Sequence, residues 1–501
     1  MSTAKKFAGQ TAVYGLSTII SRSLYFILTP ILVHSLSVKV YGIFTKMYSW
    51  ASLLSALLSF GMETTFFRYL NKYENSKDRV YSNAFIAVLT LCLLFFLSTF
   101  LFTDPIALWL KGGGGDSIDD YRFYVRCFIY ILVADAVCVV PFAKVRANGR
   151  PMRYSVIKFL NIIFVFGLNL FFLFGVPVII QHHLPGADWM AGWYRSHWVG
   201  YVFLSNLLAS ILTLVLLLPE ILQLRPSFDF SLFGEMLMYS WPILVANISY
   251  IINENLDKIM LDKLLPARIS AQEIGIYGAC AKISLFLSIF VQAFRLGAEP
   301  FFFSHAKSKN AGHTYSRIMT YFVITVSIIF VGLVANIEIL KYFIRGGNHA
   351  QQMLYWSGLG VVPLLLFGYV SLGIYMNLSV WYKLSDQTKY GLYISGIGAI
   401  LTIVLNWIFI PKYSYIASAW ISLIAYATMM VLSYIWGQKN YPIPYELKKC
   451  LVYIIASLVI VFLSFSVFNR NLYIGNAMLL TFVLYAFLTE RKELQAILIK
   501  K

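Results

Sequence analysis

Four stretches of this 501-residue chain set charged and hydrogen-bonding side chains along one helical face within otherwise apolar sequence. Thr18, Arg22, Tyr25 and Thr29 recur at spacings of four, three and four, so a helix places them on one side. Ser49, Ser52, Ala56, Ser59 and Glu63 form a second stripe. Asn247, Tyr250, Glu254 and Asp257 form a third, and Ser288, Gln292, Arg295 and Glu299 a fourth. A charge embedded in a membrane helix is costly and faces a cavity or another charge. Arg22, Lys46, Lys282 and Arg295 are the bases so placed. A guanidinium offers a planar fork of donors that matches paired phosphate or carboxylate oxygens, whereas an ammonium acts as a point charge. The chemistry expected of these bases is binding of an anion, with Tyr25, Asn247 and Gln292 as neutral partners. The competing expectation is interhelical ion pairing, such as Arg22 with Glu254 or Arg295 with Glu63. Lys46 and Lys282 lie close enough to a span end to snorkel. Lys282 and Arg295 are thirteen residues apart and point to different faces of a straight helix. Glu63, Glu254, Asp257 and Glu299 are candidates for coupling to a cation or for charge pairing. Asp135 is a lone acid whose candidate partner is Arg126.

Covalent chemistry finds no comparable support. Gly112–Gly115 lacks the Lys-Ser/Thr that completes a phosphate-binding loop. His182, His183 and His197 have no accompanying carboxylate or cysteine set and read as surface histidines. Asn247-Ile248-Ser249 matches a glycosylation sequon but falls within an apolar span. Cys92, Cys127, Cys138, Cys280 and Cys450 have no paired spacing and read as small apolar residues. No loop is long enough to assemble a nucleophile with its base, and no cofactor or metal is expected.

The elements that position these residues are membrane-spanning helices. The chain is 59% hydrophobic and 12% charged, with a mean hydropathy of +0.72. Soluble domains carry about twice that share of charge. Apolar blocks such as Phe85–Thr103, Ile157–Val178 and Leu451–Phe468 approach the ~20 residues a helix needs to cross the bilayer core. They lack the alternation of an outer-membrane barrel. Lys5 and Lys6 precede an apolar stretch that contains Arg22 and has no small-residue cleavage site, so it reads as a first span rather than a signal peptide. The expected fold is an all-α polytopic membrane protein with about fourteen spans near 10–34, 40–62, 80–103, 121–141, 155–178, 197–219, 234–257, 272–298, 318–337, 353–378, 389–410, 413–436, 449–468 and 472–489. With the N-terminus inside, and with Lys158, Lys389 and Lys449 at span edges counted with the adjoining loops, inner segments hold 24 Lys and Arg and outer loops 10, the other 6 falling within spans. That asymmetry predicts both termini in the cytoplasm. The +18 net charge then reflects the leaflet bias and not a nucleic-acid partner.

The chain also repeats itself. Gly42-Ile43-Phe44 opens the second expected span and Gly275-Ile276-Tyr277 the eighth, 233 residues later. The same spans end in Gly61-Met62-Glu63-Thr64-Thr65-Phe66-Phe67 and Gly297-Ala298-Glu299-Pro300-Phe301-Phe302-Phe303, at an offset of 236 that also aligns Lys46 with Lys282. A parallel duplication of six spans accounts for this, as in transporters built of repeats. The expected domains are a six-helix lobe over 1–225, a second over 226–440, and two added helices with a tail over 441–501.

Ser21-Arg22, Tyr41-Gly42-Ile43-Phe44, Arg146-Ala147-Asn148-Gly149-Arg150, Asp257-Lys258-Ile259-Met260-Leu261 and Gly275-Ile276-Tyr277 occur in that order. Over roughly residues 5–440 the chain resembles the polysaccharide-biosynthesis branch of the multidrug/oligosaccharidyl-lipid/polysaccharide flippase superfamily. The resemblance implies a flippase that carries an undecaprenyl-diphosphate-linked oligosaccharide across the inner membrane by alternating access, for surface polysaccharide or O-antigen synthesis. The expected partners are the lipid-diphosphate-linked sugar, membrane lipids, a coupling cation (Na+ or H+), and the polymerase and glycosyltransferases of the same synthesis. On this reading the in-span bases meet the diphosphate in a cavity between the lobes. The rival readings are a cation-coupled multidrug exporter of the same superfamily and, in a different class, a membrane glycosyltransferase or polysaccharide polymerase.

Overall fold

The computed structural model describes residues 24, 26–112, 117–225, 227–305, 308, 310–385 and 387–499, with the backbone alone at 299–300, 303–305 and 492–499. Among them every regular element is helical. The elements that matter below are α1 (Phe26–Ser35), α2 (Val38–Ser59), α3 (Met62–Lys72), α4 (Lys77–Leu101), α5 (Thr103–Lys111), α6 (Ile118–Ala147), α7 (Pro151–Leu170), α8 (Gly200–Leu216), α9 (Phe230–Leu264), α10 (Ala267–His305), α11 (Ala311–Ala335), α12 (Val362–Leu378), α13 (Lys389–Asn440), α14 (Leu447–Phe462) and α15 (Leu472–Ile499).

Ten of the described helices are long and apolar enough to cross a membrane. The protein is an all-α, multi-pass membrane protein. The expected spans 389–410 and 413–436 share α13, which is broken where Ser414 takes a left-handed φ of 51°. The spans expected at 40–62 and 197–219 coincide with α2 and α8. The one at 10–34 begins in residues outside the described set. The second span stops short of residue 62 because Phe60 (φ 48°) and Gly61 (φ 66°) turn the chain out of α2 into α3. Lipid explains the apolar side chains left exposed, such as Leu93, Leu94 and Leu97 on α4 or Ile455, Val459 and Phe462 on α14.

Packing forms two units, 1–275 with 346–348, and 276–345 with 349–501. In the first, α6 lies between α4 and α8 and also contacts α2. Its core runs from Leu58, Met62 and Phe66 through Val80, Phe85 and Leu132 to Leu232 and Met236. In the second, α12 packs on α13, and α11 holds α12, α14 and α15. Its core centres on Leu372, Trp381, Tyr426 and Met429. The Lys449 ammonium reaches the Glu490 carboxylate at 2.7 Å, so an ion pair ties α14 to α15. Helix α9 packs along α2 within the first unit, and α14 and α15 belong to the second.

Candidate functional site

Gly42 in the second turn of α2 and Gly275 in the third turn of α10 open the two copies of the Gly-Ile motif, and the helix backbones meet there. A Cβ added to Gly42 would sit 1.7 Å from the Ala271 carbonyl oxygen, and one added to Gly275 would sit 2.0 Å from that of Val38. Only glycine lets two backbones approach this closely. The two contacts are equivalent under the 233-residue offset, which relates Val38 to Ala271 and Gly42 to Gly275. Gly42 and Gly275 therefore meet about a local two-fold axis, and the residues in contact lie within the first unit.

One turn further along α2, Lys46 is 3% exposed. Its Nζ donates to the Asp262 carboxylate at 2.9 Å and to the Leu110 carbonyl at 2.7 Å. Lys263 donates to the Trp109 carbonyl at 2.8 Å and lies 3.3 Å from the other Asp262 oxygen. The two ammonium groups thus close the C-terminus of α5, where unpaired carbonyls concentrate negative charge. Asp262 lies immediately past the Asp257–Leu261 motif, and sequence reasoning missed it.

A separate polar cavity of about 430 Å³ opens among α6, α7 and α8, with Glu63 of α3 at its wall. Glu63 pairs with Arg146. Asp135 accepts from Ser210 and has Lys158 as its charged neighbour, while Lys158 also lies 4.3 Å from the Phe142 ring centre. Asn161 donates to Thr213 at 2.9 Å. Sequence reasoning missed this cavity as well. The signal was present: Asp135, Cys138, Phe142 and Arg146, then Tyr154, Lys158 and Asn161, then Asn206, Ser210 and Thr213, each repeat at three or four residues. Lys158, a span-edge residue in the charge count, lies well inside α7.

The remaining expected residues are dispersed. Arg22 and Tyr25 lie outside the described residues, as does the side chain of Glu299. Asn247 is exposed on α9, where Glu254 is half-buried and Asp257 is buried beside the Lys258 ammonium at 2.9 Å. On α10, Lys282 is half-buried, and Gln292 donates to Ser288 at 3.3 Å. Arg295 is exposed and lines a narrow cleft with Asn377 and Lys383. Glu63 meets Arg146 and Asp135 meets Lys158, so neither uses the partner weighed from sequence (Arg295 or Arg126). No group of three or more His, Cys, Asp or Glu suited to a metal occurs among the described residues.

Comparison with known proteins gives two family matches and a set of structures of similar fold. A family model described as "Polysaccharide biosynthesis protein" matches residues 7–304, and one described as "MatE" matches 242–408. No curated protein matches the sequence. Among solved structures, the fold is similar to "Lipid II flippase MurJ, inward closed conformation" with a TM-score of 0.73 at 15% identity, covering 96% of this chain and 100% of that one. It is also similar to an inward-facing multidrug resistance MATE family transporter of the MOP superfamily, with a TM-score of 0.65 at 13% identity over 85% of this chain and 97% of that one. A MOP superfamily transporter from Pyrococcus furiosus, titled for the reverse polarity of its binding pocket, gives 0.58 at 13% identity over 86% and 95%.

Proposed function

Because the chain belongs to the polysaccharide biosynthesis protein family, we propose that it is a flippase for an undecaprenyl-diphosphate-linked oligosaccharide, working by alternating access between leaflets of the bacterial inner membrane. The observation that carries this reading is the crossing of α2 and α10, where the two copies of a duplicated motif close on one another at Gly42 and Gly275. A contact with no side chain between the backbones can part and re-form as a gate, provided each lobe moves as a body around a midplane site. The lobes are the repeat units 1–225 and 226–440, with both termini cytoplasmic, and the crossing is then the outer gate, shut. Lys46 and Lys282 are matched across the duplication. The repulsion expected of lysines brought together at that gate is met for Lys46 by Asp262.

Arg22 is the proposed contact to the diphosphate. Arg22→Ala is expected to reach the membrane at normal levels and to fail to complement a flippase-deficient strain. Arg22→Lys retains partial activity, because an ammonium cannot form the bidentate fork. Full complementation by Arg22→Ala would remove the residue from the substrate path. The match to MatE makes cation-coupled drug export the second reading. A strain expressing the protein that gains resistance to cationic drugs while failing the complementation assay would favour it.

Topology is checked independently. Cysteines placed at Ser76 and Asn310 should resist a membrane-impermeant thiol reagent in intact cells, and one at Ser117 should react. The native cysteines are all buried, so the background is low. Labelling at position 76 from outside would reverse every leaflet assignment above.

A further inference from the structure

We propose that the cavity beside the α2–α10 crossing binds a phosphate-bearing group. The cavity holds about 220 Å³, and its wall carries four ammonium groups (Lys39, Lys46, Lys111 and Lys263) against one carboxylate, Asp262. That carboxylate is already divided: one oxygen takes Lys46 at 2.9 Å and the other faces Lys263 at 3.3 Å. Lys46 also donates to the Leu110 carbonyl and Lys263 to that of Trp109. Lys39 and Lys111 are half-buried and form no ion pair among the described residues. The wall therefore carries a net charge of +3 in surroundings where charges are poorly screened. At neutral pH a phosphate carries one negative charge as a diester and about 1.5 to 2 as a monoester, a diphosphate carries at least two in all, and each offers several acceptor oxygens. Flexible lysines can meet such a group as point charges without a fixed fork.

Position gives the site a consequence. Ala271, whose carbonyl a Cβ on Gly42 would strike, also lines this cavity. An anionic phosphate held there draws the starts of α2 and α10 and the C-terminal end of α5 together, favouring the closed crossing through its differential contacts. The group comes either from a lipid headgroup or from free phosphate, and the site stands on its charge and shape without the flippase reading.

The test uses the full chain in nanodiscs of phosphatidylcholine, with inorganic diphosphate as the probe and sulfate at equal ionic strength as control. Acylation of Lys39 and Lys111 by an amine-reactive reagent is followed by mass spectrometry. Protection should grow with the free probe and reach roughly tenfold at ten times its dissociation constant. Lys39→Gln/Lys111→Gln leaves the Lys46–Asp262–Lys263 cluster intact, so the variant should keep the wild-type melting temperature. It should also lose the rise in melting temperature that diphosphate gives the wild type. Nanodiscs containing phosphatidylglycerol identify a lipid source if they protect the two lysines without added diphosphate. Protection by diphosphate alone identifies a free anion. Acylation rates and melting temperatures that are equal in all of these, or protection by sulfate as strong as by diphosphate, would overturn the proposal. Arg22→Ala is scored in parallel: loss of translocation with protection retained separates this site from the transport reading.

Discussion

Gly42→Leu is expected to reach the membrane and to lose most of its translocation activity. The atom a Cβ would strike, 1.7 Å away, is the main-chain oxygen of Ala271. A helical carbonyl cannot swing aside as the end of a flexible side chain can. The closed crossing is then out of reach, while each helix can still fold and insert, because the clash arises only on contact between them. Translocation should fall at least about tenfold, which corresponds to disfavouring the closed state by about 1.4 kcal/mol. Gly275→Leu should behave alike, since its Cβ would lie 2.0 Å from the Val38 oxygen. The double variant should add little, because both substitutions block one contact and are not independent. Gly167→Leu on α7 is the control: a Cβ there meets nothing within 4 Å. Normal transport by Gly42→Leu in a translocation assay with reconstituted vesicles would remove the crossing from the mechanism.

Asp262→Ala should be the most damaging single change to stability in the first unit. The Lys46 side chain is 3% exposed and that of Asp262 7%, so removing the carboxylate takes away the ion pair of a buried ammonium. Breaking one partner of a buried pair costs about 3–5 kcal/mol. Lys46→Met should cost clearly less, because Asp262 keeps Lys263 as a neighbour while Asp262→Ala strips both lysines. Lys46→Met/Asp262→Leu should recover most of the loss, since apolar groups of similar volume often replace a buried pair without net cost. Unfolding midpoints of the purified protein in one detergent should therefore rank wild type and the double variant above Lys46→Met, with Asp262→Ala lowest. A double variant no better than Asp262→Ala would mean that the pair is not an isolated ionic contact.

Sequence and structure agree where the physics is local. Apolar blocks of bilayer length become helices, and the two spans expected at 389–410 and 413–436 meet in one helix that breaks at Ser414. The duplication was legible as two similar motifs. That the copies touch was not, because nothing in one strand of sequence reports a crossing between residues 233 apart. The polar stripes were legible as faces but not as neighbours. Lys46 was visible as an embedded charge, yet its partner Asp262 is 216 residues away and belongs to no stripe. The Asp135–Lys158 cavity escaped notice because each of its three helices contributes only part of the polar set, and Lys158 sits close enough to the end of α7 to be read as loop. Charge counting cannot tell a snorkelling lysine from one folded inward; only the packing of α6 against α7 and α8 decides it.

The account rests on a crossing that opens and closes, and the distance across it is the most direct measurement. Spin labels on cysteines at Val40 of α2 and Gln272 of α10 flank the contact without occupying Gly42 or Gly275. Reconstituted protein should show a short-distance population from the closed crossing and a second, longer one. Their ratio should change when an undecaprenyl-diphosphate-linked oligosaccharide is added, or when Na+ or pH is varied. The account predicts that Gly42→Leu abolishes the short population. A single distance, unchanged by lipid-linked sugar, sodium, pH and the Gly42 substitution, would contradict it.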